Sequence, residues 1–149
     1  MKAWAAYLLA ALALAVDAGA SVWASLALTG RGQVWVWRPW LDLQLMHNTG
    51  ATLGMAARHG NALTAITACA VVALAVLVAR WPRGRLGLAL MCGGAAGNLA
   101  SRLAVGAVVD FLQVSWWPGI FNPADVFLRV GALLLLVTVF VPERHHGAT

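Results

Sequence analysis

The sequence predicts an all-α membrane protein, four transmembrane helices carrying a small sheet on one outer surface. Three observations lead to it. Of 149 residues, 62% are hydrophobic and 10% are charged, where a soluble domain carries roughly a quarter charged residues. No water-soluble core of this size hides so much apolar surface, so the bilayer is the solvent. Four apolar runs stand out, at about 3–28, 62–79, 86–109 and 124–141. Each reaches or approaches the ~20 residues that a helix needs to cross ~30 Å of hydrocarbon. One sizeable segment of mixed polarity, about 30–60, lies between the first two. The whole of 1–149 reads as a single integral membrane domain.

The first run is too long for the apolar part of a cleaved leader, and three more follow, so it reads as a retained span. Within hydrocarbon the backbone must bond to itself, which makes each run a helix. In the segment 30–60, Gln33 to Arg38 and Leu41 to Met46 alternate apolar and polar residues imperfectly around Pro39. That pattern predicts two short strands. Exposed strand edges favour their pairing into a small sheet on the membrane surface. Trp35, Trp37, Trp116 and Trp117 fit an interfacial aromatic belt.

The third run contains Gly93 and Gly97, whose i, i+4 spacing lets another helix approach closely. Asn98 and Arg102 follow on nearly the same face as Gly94, so a polar stripe begins where the tight packing ends. Arg102 taken alone can equally be a side chain snorkelling to the interface. The fourth run opens with Asn122, a favoured N-cap, and Pro123 at the first helical position, which leaves Asp125 at the third. Asp125 therefore has a bland reading as a capping carboxylate.

Charge gives the orientation. Lys2, the cluster Arg80, Arg83 and Arg85, and Arg144 share one side, and Arg31, Arg38 and Arg58 lie on the other. The dense cluster in a short turn favours both termini inside. The net charge of +5 is scattered over these connections, which fits membrane topology and not a nucleic-acid surface. Cys69 and Cys92 sit in apolar runs without metal-ligand spacing and read as buried thiols.

The chain has only five acidic residues, and Asp17, Asp110 and Asp125 lie in or beside apolar runs. An ionised carboxylate next to hydrocarbon is costly unless paired, hydrated or used. Asp110, at the far end of the third run, has no capping reason to be there. Asp17 lies ~20 Å along the first helix, so three acids share a depth near the outer face. Two carboxylates that meet share a proton and titrate as a pair. The ionised member can activate a water while the neutral one hydrogen-bonds a scissile carbonyl, which is aspartyl peptide hydrolysis. The helix N-terminus at Asp125 and the apolar neighbours of Asp110 make Asp125 the expected anionic member. His47 and His59 lie in the loop and His145 and His146 in the tail, so no metal cluster converges, and neither metal nor cofactor is expected.

These residues resemble the bacterial lipoprotein signal peptidases, the signal peptidase II family. The match runs through Asp17, then His47 to Gly54, then Gly93 to Asn98 with Arg102, Gly106 and Val108 to Phe111, then Phe121 to Asp125 with Gly131. The resemblance implies a four-helix aspartic endopeptidase with an extracytoplasmic β-cradle and a short peripheral helix, including part of Thr52–Gly60. It implies cleavage of diacylglyceryl-modified prolipoproteins just before the lipid-bearing Cys. Asp110 and Asp125 match the catalytic dyad. Asp17, Asn48, Gly50, Asn98, Arg102 and Asn122 match supporting and substrate-positioning residues.

The implied setting is the bacterial cytoplasmic membrane, with the site at the extracytoplasmic face, membrane lipids around a monomer, and inhibition by globomycin-type cyclic peptides. The segment 30–60 is expected to close over the substrate as a lid. Two departures from the family pattern matter, the run Ala18-Gly19-Ala20-Ser21 after Asp17 and Ser101 before Arg102. Where Asp-Gln-x-Ser/Thr-Lys is usual, Ser21 replaces the Lys, and in Asn-x-x-Asp-Arg, Ser101 replaces the Asp. The competing readings are an inactive or specialised paralogue that binds lipoproteins, and a small proton-coupled transporter or channel.

Overall fold

The computed structural model describes residues 1–50 and 56–141, with positions 56–60 described by backbone alone. In chain order it forms α1 (Ala3–Leu28), β1 (Val34–Trp37), β2 (Leu41–Asn48), α2 (Ala56–Arg80), a 3₁₀ turn (Pro82–Gly84), α3 (Arg85–Val105), β3 (Val108–Val114), β4 (Ile120–Phe121) and α4 (Pro123–Phe140). All four α-helices contain a stretch long and apolar enough to cross a membrane. The strands form one antiparallel sheet in the order β1-β2-β3-β4. It lies at the end of the bundle where α1 and α3 finish and α2 and α4 begin.

The third run departs from its expected extent. Helix α3 stops at Val105, and the residues expected to continue the span to about 109 enter strand β3. Gly106 takes the left-handed conformation, φ 76°, and its N–H returns to the Arg102 carbonyl at 3.0 Å. This is a glycine C-cap, and the β-branched pair Val108 and Val109 beyond it suits a strand. Asp110 therefore sits on a sheet and not on a helix. Strands β3 and β4 are additions to the expected pair. The expected peripheral helix falls partly outside the described residues, at positions 51–55, while 56–60 form the start of α2.

The bundle is sorted by side-chain size. Ala6, Ala10, Ala13, Ala24 and Ala89 are buried, while Leu26, Leu103 and Phe140 are 81%, 70% and 77% exposed. In hydrocarbon large apolar side chains lose nothing by facing outward, and small ones let the backbones approach. Helix α3 is the central element, packing on each of the other three. A Cβ at Gly93 would lie 2.5 Å from the Ala10 carbonyl, and one at Gly94 would lie 2.6 Å from that of Ala124. Gly87 and Gly131 face each other, so a Cβ on either would come within 2.6 Å of the other's carbonyl.

At the end away from the sheet, Arg85 gathers the chain. Its guanidinium donates to the carbonyls of Val78, Ala79 and Met1 at 3.0, 3.3 and 3.0 Å. The first two belong to the last turn of α2, whose free carbonyls and dipole favour a cation. Under the sheet, Ala24 and Leu28 of α1 pack with Phe111, flanked by Val34, Leu43 and Leu112. This contact fixes the sheet on the end of α1.

Candidate active site

Asp110 is 1% exposed and projects from the middle of the sheet. It pairs with Met46 across the β2–β3 ladder, while Asn48 pairs with Val108. Residues two apart on neighbouring strands share a face, so Asn48 reaches Asp110 diagonally. Its Nδ2 donates to Asp110 Oδ2 at 2.9 Å. The Asn48 Oδ1 accepts the Gly50 N–H at 2.8 Å, an Asx turn that aims the amide at the carboxylate. Gly50 has φ 74°, and a Cβ there would lie 2.7 Å from Leu63 Cδ1. Only glycine suits that combination.

Asn122, fully buried, does two jobs. As N-cap of α4 its Oδ1 accepts the Asp125 N–H at 2.9 Å. That leaves its Nδ2 as donor, to Asp110 Oδ1 at 3.0 Å and Asn98 Oδ1 at 3.0 Å, with Val109 O at 3.4 Å. Asn98 Nδ2 in turn reaches Asp125 Oδ1 at 3.4 Å. The two acids are thus joined by a chain of two amides, one from α3 and one from the cap of α4.

Asp17 supports the same helix end from α1. Its Oδ1 accepts the Ala124 N–H at 2.9 Å, one of the first-turn donors that a helix leaves without partners. The carboxylate fits because position 97 is glycine, where a Cβ would lie 2.5 Å from Asp17 Oδ2. That second oxygen has no hydrogen-bond partner among the described residues. Arg102 Nη1 lies 3.5 Å from Thr67 Oγ1 and 3.4 Å from the Asn98 carbonyl. Thr67 brings α2 into the cluster.

Electrostatics act on Asp110 from several sides. Burial pushes the Asp110 carboxyl up to about 6, and the charges of Asp125 and Asp17 push the same way. The Asn48 hydrogen bond and the Arg102 charge oppose them. Asp110 therefore takes up a proton more readily than an ordinary carboxyl, and its polar surroundings, Asn48 and Asn122, are richer than its apolar sequence neighbours suggest. Asp125 is half-buried at the first turn of α4. A buried acid with a raised affinity for a proton, beside a second, half-buried carboxylate, can when protonated polarise a carbonyl while its neighbour activates a water.

Comparison with known proteins gives this arrangement its context. The signal peptidase (SPase) II family model matches residues 9–141. The chain belongs to the signal peptidase II family. It is 40% identical over 111 residues to a lipoprotein signal peptidase of Moorella thermoacetica, covering 70% of this chain and 72% of that one. With the lipoprotein signal peptidase of Rhodopseudomonas palustris (strain TIE-1) it shares 38% over 146 residues, 87% of each chain. Two solved bacterial membrane enzymes share the fold. One has a TM-score of 0.81 at 22% identity, covering 93% of this chain and 94% of its own. The other has 0.78 at 24%, covering 91% and 87%.

Within the signal peptidase II pattern, every sequence-selected position with described side chains falls in this one cluster: Asp17, Asn48, Gly50, Asn98, Arg102, Asp110, Asn122 and Asp125. Sequence reasoning missed Thr67, a lone hydroxyl in an apolar run with no signal to separate it from a side chain bonded to its own helix, as Thr67 also is, to Leu63 O at 2.8 Å. Ser21 and Ser101, which stand where the family pattern has Lys and Asp, are both buried, on α1 and α3.

Proposed function

We propose that this chain is a lipoprotein signal peptidase, an aspartic endopeptidase with Asp110 and Asp125 as its dyad. The substrate class is the diacylglyceryl-modified prolipoprotein, cut just before the lipid-bearing Cys. Family membership supports this reading, and the observation that carries the dyad is the single amide of Asn122, which holds Asp110 while capping the backbone of Asp125.

In the proposed reaction Asp125 takes a proton from water as its oxygen attacks the scissile carbonyl. Protonated Asp110 hydrogen-bonds the carbonyl oxygen as negative charge develops there. The tetrahedral intermediate then collapses, the C–N bond breaks, and a proton from the dyad passes to the leaving amine of the Cys. Asn48 and Asn122 hold Asp110, Asp17 and Asn122 hold the first turn of α4, and Arg102 tempers the negative field. The burial of Asp110 and Asn122 makes their dipoles and charge count for more than in bulk solvent.

The proposed setting is the bacterial cytoplasmic membrane, termini inside, with the sheet end at the extracytoplasmic face, since the Arg80, Arg83 and Arg85 cluster lies at the opposite end. A monomer in contact with membrane lipids is proposed, with globomycin-type peptides competing for the site. The test is the purified chain with a synthetic diacylglyceryl lipopeptide, comparing it with Asp110→Asn and Asp125→Asn. Cleavage before the lipidated Cys that is lost in both variants is expected. Persistence in either removes that residue from the dyad.

A further inference from the structure

Helix α4 turns Val126, Val130, Leu133 and Val137 outward, all four of them exposed. Their spacing places them on one stripe, the face that this span presents to lipid. Arg129 is exposed within the same stripe. It stands six residues beyond Pro123, where the helix begins, and so ~9 Å along it. A guanidinium facing hydrocarbon at that depth is costly unless it reaches the interface or an anion.

The side chain finds rings but no anion. Its Cζ lies 4.7 Å from the centroid of the Trp117 ring and 5.7 Å from that of Phe121. Trp117 belongs to the turn between β3 and β4, and Phe121 ends β4. The guanidinium therefore reaches back toward the sheet, the direction in which helical side chains lean and a long cationic one snorkels. The aromatic faces attract the cation but use none of its N–H donors. Among the described residues it has no hydrogen-bond or carboxylate partner. Asp125, four residues earlier on α4, is half-buried and reaches Asn98 instead. Asp17, Asp42 and Asp110 are buried, while Arg31 and Arg38 at this end are exposed. The accessible charge around Arg129 is thus cationic.

We infer that Arg129, with Trp117 and Phe121, forms a site for the phosphate of an anionic phospholipid in the leaflet on the sheet side. The inference needs the four spans and does not depend on the dyad. A guanidinium presents paired N–H donors whose geometry matches two phosphate oxygens. The acyl chains of the same lipid lie along Val130, Leu133 and Val137, so one molecule satisfies both the cation and the apolar stripe below it. The cationic surroundings favour a lipid of net negative charge over a zwitterionic one. The two rings hold the guanidinium against the β3–β4 turn, which fixes where the phosphate sits.

The experiment places the full chain in phosphatidylcholine nanodiscs doped with phosphatidylglycerol that carries a diazirine close to its glycerol, and maps the crosslinks by mass spectrometry. Labelling of the stretch from Trp117 to Leu133 is expected. Arg129→Gln should reduce it roughly tenfold, the loss of one charge-assisted contact. Arg129→Lys keeps the charge without the planar fork and should fall between the two. Arg31→Gln, which changes a cation away from the rings, should leave the labelling unchanged. A diacylglycerol with the same diazirine and no phosphate should label the stretch weakly, and equally in wild type and Arg129→Gln. Labelling by phosphatidylglycerol that survives Arg129→Gln, or that the diacylglycerol matches, overturns the proposal. Suppression by inorganic phosphate assigns the site to a soluble anion and overturns it as well.

Discussion

Asn122 Nδ2 donates to Asp110 Oδ1 at 3.0 Å across the boundary between sheet and helix. The same side chain caps α4 through its Oδ1. The cap of the fourth helix and the placement of the buried acid therefore depend on one side chain. Replacing Asn122 by Ala removes an N-cap and leaves Asp110 short of a partner, a loss of about 1–3 kcal/mol. Asn122→Ala should lower the melting midpoint in detergent and reduce kcat by roughly tenfold or more. Asn122→Asp keeps the cap oxygen but loses the donor, so it should recover stability better than turnover. Equal recovery of both would mean that the amide matters to the cap alone.

Protonation of Asp110 sets an expected pH limb. With its carboxyl at about 6, an enzyme that needs the proton there loses kcat/KM as pH rises past that value. The Asn48 hydrogen bond favours the ionised form, so Asn48→Ala should move the limb to higher pH. A shift to lower pH, or none, contradicts the assignment of Asp110 as proton holder. The initial-rate profile on a lipopeptide checks it.

The same group couples folding to pH with a definite sign. The folded value, about 6, is above the ordinary 3.8, so the folded chain binds the proton more tightly than the unfolded one. The resulting stabilisation is complete below the lower value and is lost as pH rises through the higher. Thermal melts across this window should show wild type losing stability relative to Asp110→Asn as pH increases. A difference that stays flat with pH would remove the linkage.

Asp17 acts on the helix end through one oxygen, bonded to the Ala124 N–H. Asn at this position retains an acceptor and Ala does not. Asp17→Asn should therefore keep more activity and a higher melting midpoint than Asp17→Ala, by about 1 kcal/mol in stability. Identical behaviour of the two variants would show that the charge, and not the cap, is what matters.

Helix contact at Gly97 offers an independent test. A methyl there meets Asp17 at 2.5 Å, so Gly97→Ala must push α1 and α3 apart or displace the carboxylate. A cost of about 1–3 kcal/mol is expected, together with lower kcat. Gly19→Ala, with open space around its Cβ position, is the control and should change neither by a measurable amount.

The spans, the Asn122 cap and the glycine contacts of α3 were legible because each depends on residues close together in the chain. Hydrophobic run length, N-cap chemistry and i, i+4 spacing are local properties. The end of α3 was harder to see, since Val108 and Val109 suit an apolar span as well as a strand, and Gly106 alone had to mark the change. Once the chain turns there, Asp110 belongs to the sheet and not to a span.

By itself, then, the sequence determined four membrane helices, their small-residue contacts and the start of α4, because the bilayer and the backbone enforce them within each segment. Only the tertiary structure decided which polar groups meet. Asn48 and Asp110 are 62 positions apart, and Asp17 and Ala124 are 107 apart. The first contact depends on the β2–β3 register, in which a shift of one residue would turn Asp110 to the other face. The second depends on how closely α1 approaches α4 past Gly97. Neither quantity is encoded in any single stretch, so the cluster around Asp110 and Asp125 exists only in the assembled fold.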